Sequence, residues 1–158
     1  MNTIFLARHE AFERIKRISS DAAQDIDLLL SHSTGHDCSW LLAHGEAELP
    51  EDQQQAFLTL IERRRRHEPA AYLVGSQYFY GRRFFVDKNV LIPRPESELI
   101  IEALRRDFTG RTNLDIVDVG TGSGCLAISA ALEFPAARVT ATDISEAAIS
   151  IAQKNCQT

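Results

Sequence analysis

Leu114-Asp-Ile-Val-Asp-Val119, then Gly120-Thr-Gly-Ser-Gly124, then Cys125-Leu-Ala-Ile-Ser-Ala-Ala-Leu132: the reading of these three runs decides the fold. The first is rich in branched apolar residues and reads as a buried β-strand. Gly120, Gly122 and Gly124 form a tight turn, and Cys125 to Leu132 reads as a helix. Strand, glycine turn and helix in that order bring free backbone N–H groups and the positive helix end to the strand's carboxyl edge. Glycine has no Cβ, so a nucleotide-like ligand can lie against the turn. A second strand, Ala137-Arg-Val-Thr-Ala-Thr-Asp143, ends in an acid. Asp143 follows the turn by roughly 20 residues, the spacing at which a carboxylate meets ribose hydroxyls.

The dinucleotide fingerprint asks for a small residue at its sixth position, where Cys125 fits poorly. The run Asp118-x-Gly120-x-Gly122-x-Gly124, with Asp143 beyond it, instead resembles the S-adenosylmethionine (SAM) site of Rossmann-like methyltransferases. That resemblance makes Gly120, Thr121, Gly122, Ser123 and Gly124 the residues beside the methionine end of the cofactor. It sets Asp143 on the ribose hydroxyls, and Asp118 either holding the turn or facing the methionine amino group. The plainer alternative is a turn that only joins a strand to a helix.

Composition is that of an ordinary globular protein, with 44% hydrophobic and 25% charged residues. A net charge of −5 supplies no basic field for nucleic acid. Cys38, Cys125 and Cys156 show no paired spacing, which suits a reducing compartment and small apolar roles. No apolar run approaches a membrane span, and no secretory or transit signal is read at the N-terminus. A cytoplasmic location with no membrane partner is therefore expected.

The chain to about Gly75 reads as all helix. Ile4, Ala7, Ala11, Phe12, Ile15 and Ile18 recur at helical spacing. Ser19 or Ser20 is expected to cap a second helix with Ala22, Ile26, Leu29 and Leu30 on its inner face, ended by Gly35. Cys38 to His44 is a short helix carrying Trp40, and Pro50 opens another with Phe57, Leu60 and Ile61 inward. Arg63 to Arg66 stand near its end, either as a solvated terminus or as a site for phosphate or an acidic partner. His32 and His36, four apart, have the spacing of two metal ligands on one face. With no third ligand evident they are read as a solvated helix end. Beyond Glu68-Pro69, residues 70–74 are one last helical turn. Gln77-Tyr-Phe-Tyr80, Gly81 and Arg83-Phe-Phe-Val86 form an aromatic β-hairpin. Val90-Leu-Ile92 is extended before Pro93. Pro95 starts a helix whose apolar face is Leu99, Ile100, Ala103 and Leu104, and Ser145 caps a final helix.

Several of these segments together resemble one family. Arg64-Arg-Arg-His-Glu68-Pro69-x-x-Tyr72-x-x-Gly75, Phe79-Tyr-Gly81-x-x-Phe84-x-Val86 and Val90-Leu-Ile-Pro-Arg-Pro95-Glu-Ser-Glu98 are similar to segments of the HemK-type release factor glutamine methyltransferases. Asp118 to Gly124 and Thr142-Asp143-Ile-Ser145 match that family's SAM motifs. The glycine motif is common to many methyltransferases; the Pro-Arg-Pro segment after a hairpin and a helical region is far more specific. The resemblance implies an α/β protein: a small N-terminal helical bundle for substrate recognition (1–75), a β-hairpin linker (76–92), and the first half of a Rossmann-like SAM-dependent methyltransferase domain (93–158). It implies SAM as cofactor, a peptide chain release factor as protein partner, no direct nucleic-acid partner, and N5-methylation of a glutamine. The family's Asn-Pro-Pro-Tyr motif is absent from this sequence. No catalytic residue is therefore assigned, and the chain as it stands is expected to be an inactive fragment. Two alternatives stand beside this reading: methylation of an exocyclic base amine in RNA or DNA, and a non-catalytic binding module.

Overall fold

The computed structural model describes residues 3–157. It separates into two units between Val74 and Gly75.

The first unit is helical: α1 (Ile4–Ile15), α2 (Ala22–Thr34), α3 (Cys38–Ala43), α4 (Glu51–Arg65) and the single turn α5 (Ala70–Val74). Each boundary has a local cause. The Thr3 hydroxyl accepts the Leu6 N–H at the start of α1, and the Asp37 carboxylate accepts that of Trp40 at the start of α3. Gly35 closes α2 in the left-handed conformation, at φ 75°. The expected serine cap of α2 is not formed. Asp21 holds the N-cap position without a side-chain bond to the helix backbone, its carboxylate accepting the Ser20 hydroxyl. Ser19 Oγ instead accepts from Asp21 N and donates to the Asp25 carboxylate.

The core of this unit is built from Ile4, Ala7, Ala11 and Ile15 of α1, Ile26, Leu29 and Leu30 of α2, Leu41, and Phe57 and Ile61 of α4. Phe12 lies 40% exposed, off the inner stripe that sequence spacing gave it. The arginine run is largely committed within the unit: Arg63 pairs with Glu68, Arg64 with Asp25 at 2.8 Å, and Arg65 with Glu62. Only the Arg64–Asp25 pair is well covered by protein, at 13% and 18% side-chain exposure, so it is the one whose loss would be felt. His32 lies in the last turn of α2, whereas His36 lies beyond the Gly35 cap. The His36 ring stacks on Trp40 at 3.7 Å, and His44 covers Trp40 at 4.3 Å. The two histidines of the i, i+4 spacing thus do not share a helix face.

The second unit begins with the antiparallel hairpin β1 (Ser76–Phe79) and β2 (Arg82–Phe85). Tyr80 and Gly81 turn it with φ of 51° and 72°, the left-handed pair that matches strand twist. A 3₁₀ turn (Pro95–Ser97) leads into α6 (Glu98–Phe108), followed by β3 (Asp115–Val119), α7 (Cys125–Glu133), β4 (Arg138–Thr142) and α8 (Glu146–Cys156). Strands β3 and β4 pair in parallel from Asp115 opposite Arg138 to Val119 opposite Thr142. The β–α–β crossover with flanking helices is a partial α/β methyltransferase fold of the Rossmann-like kind.

Two expectations are corrected here. Strand β3 is not buried on both faces. Ile116 packs into the cluster of Phe79, Phe84, Ile101 and Ala130, while Val117 and Val119 point the other way and are 62% and 82% exposed. A parallel sheet needs cover on both sides, and among the described residues the helices pack on one. On α6 the buried residue is Ile101, with Leu104 beside the same cluster; Leu99 and Ile100 are exposed. Apolar residues occupy almost every position from 99 to 104, so spacing alone admits more than one face, and packing against α7 selects among them.

Ser129 on α7 is fully buried, and its hydroxyl is the buried side-chain polar atom among the described residues that lacks a hydrogen-bond partner. Burying a hydroxyl without a partner costs free energy, and alanine is the better helix former. Ser129→Ala is therefore expected to raise stability by about 1 kcal/mol in urea denaturation. A loss of stability would show that the oxygen's volume matters more than its unmet bond.

Candidate functional site

The site is the carboxyl edge of the two parallel strands, where three loops meet. The β3–α7 turn carries Gly120, Gly122 and Gly124 at φ of 79°, 55° and 80°, all in the left-handed region. A side chain there is strained whatever space it has. Space differs among the three. A Cβ on Gly120 or Gly122 would meet no atom within 4 Å, so the turn presents an open edge. A Cβ on Gly124 would lie 3.1 Å from the Cβ of Ala152 on α8, which makes that glycine a packing requirement.

The N–H groups of Gly120, Thr121, Gly122 and Gly124 are not free, contrary to the sequence expectation. Gly120 and Thr121 both donate to the Thr142 carbonyl, at 2.8 and 2.9 Å. Gly124 donates to the Thr121 carbonyl. Gly122 donates to Asp143 Oδ2 at 2.9 Å. The cause is the parallel register: Val119 pairs with Thr142, so β4 ends with a carbonyl and a carboxylate facing the turn.

Asp143 is therefore joined to the turn directly. Its other oxygen accepts the Ser145 N–H at 2.9 Å, and Ser145 Oγ accepts from Ala148 to cap α8. The Ser145 and Gly122 N–H bonds hold the Asp143 carboxyl below its ordinary range, so it stays ionised. Each carboxylate oxygen has a second lone pair. Asp143 thus remains able to accept two further donors on the open side, which is the bonding a ribose diol asks for. Asp118 lies at the far end of β3, where its Oδ2 accepts the Thr121 hydroxyl at 2.7 Å. Of its two readings, holding the turn is the one with a bond to show. Thr121 and Ser123 are buried within the turn. Burial pushes the Cys125 thiol up, so it is an unreactive packing group at the helix start.

Residues that sequence reasoning left without a role complete the arrangement. Asn155, 5% exposed near the end of α8, donates to the Ser123 carbonyl at 2.8 Å and to the Phe85 carbonyl at 2.9 Å, and accepts from Phe85 N at 2.7 Å. Glu98, the last residue of the Pro-Arg-Pro-Glu-Ser-Glu run, accepts the Tyr80 N–H at 2.8 Å, and Arg105 donates to the Tyr80 hydroxyl. No sequence signal pointed to these ties: partners 70 and 18 residues apart leave no periodic trace. Pro93 is buried, whereas Arg94, Pro95 and Glu96 are exposed. Two surface hollows lie elsewhere, along α1 and α2 of the helical unit, one of them lined by Phe5, Arg8, Phe12 and Asp27.

Comparison with known proteins finds matches in both units. Residues 7–75 match the family model described as the PrmC N-terminal domain, and residues 95–158 match that of the ribosomal protein L11 methyltransferase, PrmA. The release factor glutamine methyltransferase of Koribacter versatilis (strain Ellin345) is 47% identical over 82% of this chain and 46% of its own length. That of Bacillus subtilis (strain 168) is 37% identical over 99% of this chain and 56% of its own. A bifunctional methyltransferase of Rickettsia prowazekii (strain Madrid E) is 38% identical over 81% of this chain and 28% of its own. The chain thus spans about half the length, or less, of these curated relatives. Over most of its length the chain is similar to the release factor glutamine methyltransferases.

Proposed function

We propose that this chain carries the cofactor-holding part of an enzyme that transfers a methyl group from SAM to the side-chain nitrogen of a glutamine in the Gly-Gly-Gln loop of a peptide chain release factor, in the cytoplasm, as part of translation termination. The observation that carries the reading is Asp143, ionised and bonded to Gly122 and Ser145, beside a glycine turn whose front is open. These residues fit the cofactor. The open faces of Gly120 and Gly122 admit it closely, and the spare lone pairs of Asp143 suit the ribose hydroxyls. When bound, SAM supplies an electrophilic methyl on a cationic sulfur.

What the chain's own residues do is orient. An amide nitrogen is a poor nucleophile because its lone pair is delocalised into the carbonyl. Rate must come from alignment of nitrogen and methyl, and well-set geometry can supply about 7–11 kcal/mol of a barrier. Asp118, Thr121 and Asn155 make the turn rigid, and Asp143 anchors the cofactor end away from the methyl. Among the described residues, none is assigned the activation of the glutamine. The net charge of −5, and the protein substrates in the names of the ribosomal protein L11 methyltransferase model and the release factor glutamine methyltransferases, favour a protein over a nucleic-acid acceptor.

The test incubates the gene's complete product with SAM and, separately, release factor, ribosomal protein L11 and transfer RNA, and reads each by mass spectrometry. One added methyl on the release factor glutamine is expected, with the other two unchanged. Methylated RNA or L11 with release factor untouched would overturn the reading. In parallel, Asp143→Ala is expected to weaken SAM binding about ten- to a hundredfold by calorimetry, the loss of charge-assisted hydrogen bonds.

A further inference from the structure

We propose that Asn155 is the positioning residue of the glycine turn: its buried amide fixes the Ser123 carbonyl to the hairpin backbone at Phe85, and so sets the turn's orientation toward the cofactor. The inference rests on the reading of that turn as the SAM site.

Three features carry it. First, the Asn155 side chain uses its acceptor and both donors on backbone atoms: Phe85 N, Phe85 O and Ser123 O, at 2.7, 2.9 and 2.8 Å. Two carbonyls and one N–H fix which way the amide points, since the reversed amide would face oxygen to oxygen. Second, the turn has few other anchors on that side. Its outer bonds run to Thr142, Asp143 and Asp118, all on the sheet edge, whereas Ser123 is buried on the helix side. Three glycines at positive φ give a backbone that many orientations would satisfy, so a bond from the opposite side decides among them. Third, Phe85 is a firm post. It pairs with Ser76 in the hairpin, the Lys154 ammonium sits 3.2 Å from its ring centroid, and Val86 N bonds the Gly75 carbonyl. At the hairpin's other end Glu98 and Arg105 of α6 hold Tyr80. The hairpin is thereby fastened to the helix before β3 and to the helix after β4, and Asn155 carries that fastening into the turn.

The test uses Asn155→Leu and Asn155→Asp in this chain, read by amide hydrogen exchange and by calorimetric titration with SAM. The leucine removes all three bonds at similar volume. The aspartate keeps an acceptor for Phe85 N and loses both donors. Expected for Asn155→Leu are exchange of the Gly120–Gly122 and Phe85 amides about tenfold or more faster, α6 amides unchanged, and SAM affinity down about tenfold or more. For Asn155→Asp the turn amides should speed up while Phe85 stays protected. Turn exchange and SAM affinity within about twofold of the parent in Asn155→Leu would overturn the proposal. If the parent does not bind SAM, the cofactor reading fails, and the exchange arm still decides the role of Asn155. If both variants unfold, the parent decides it. One shared opening rate for Phe85 and the turn amides supports the tie, and independent rates overturn it.

Discussion

Gly124→Val is expected to unfold the unit that begins at Gly75, whereas Gly122→Val leaves it folded and abolishes SAM binding. The two glycines have similar backbones, at φ of 80° and 55°, and differ in what surrounds them. A valine at 124 brings its Cβ to 3.1 Å from Ala152 Cβ and Ile128 Cδ1, and to 3.3 Å from the Ala152 Cα. The Ile128 methyl can swing aside, but the Ala152 backbone cannot without moving α8. Left-handed strain of about 1–2 kcal/mol adds to overpacking of about 1–3 kcal/mol, a large share of a small domain's stability. At 122 the strain alone applies, because the added side chain meets only open space. That space is where the cofactor is proposed to lie. Thermal melts followed by far-UV circular dichroism, with SAM titrations of the folded variant, separate the two. Equal melting of both variants would refute the division into a packing glycine and a contact glycine. Full SAM affinity in Gly122→Val would remove the cofactor from the turn.

Legibility from sequence divides along physical lines. The helical faces of α1, α2 and α4 could be read because one-sided burial imposes a 3.6-residue period, and Ile4, Ala7, Ala11, Ile26, Phe57 and Ile61 do lie inward. Gly35, Gly81 and Ser145 announce a helix end, a hairpin turn and a helix cap because each meets a backbone demand few residues satisfy. The glycine turn and Asp143 were legible for the same reason. What could not be read depends on partners far away in sequence. Asn155 looks like any polar residue near a helix end, and only the fold places it between Ser123 and Phe85. Arg64 is one of four like residues until Asp25 singles it out. The N–H groups of Gly120, Thr121 and Gly122 looked free because their acceptors, the Thr142 carbonyl and the Asp143 carboxylate, lie on or just beyond a strand whose register the sequence does not state.

Phe57→Ala is expected to bring the helical unit to the edge of unfolding and leave SAM binding unchanged. Phe57 is fully buried in the cluster formed by α1, α2, α3 and α4. Truncating a buried phenylalanine costs about 3–5 kcal/mol, because the transfer free energy of the ring is lost and the void collapses only partly. A helical unit of this size sits at the low end of domain stability, about 5 kcal/mol, so the variant retains only about 0–2 kcal/mol there and opens frequently. The second unit has its own cluster, centred on Phe79, Phe84, Ile101 and Ala130, and its glycine turn is held by Thr142, Asp143 and Asn155, none of which Phe57 supports. Amide exchange should accordingly lose protection across α1, α2 and α4 and keep it across β3, α7 and β4. Calorimetric affinity for SAM should stay within about twofold of the parent, since no cofactor contact has changed. In the gene's complete product the same variant should reduce the proposed methylation of release factor while SAM still binds, the outcome that substrate recognition by the helical unit, itself a proposal, requires. Joint loss of protection in both units would show that the two cores are one cooperative system. Undiminished methylation would show that the substrate is recognised elsewhere.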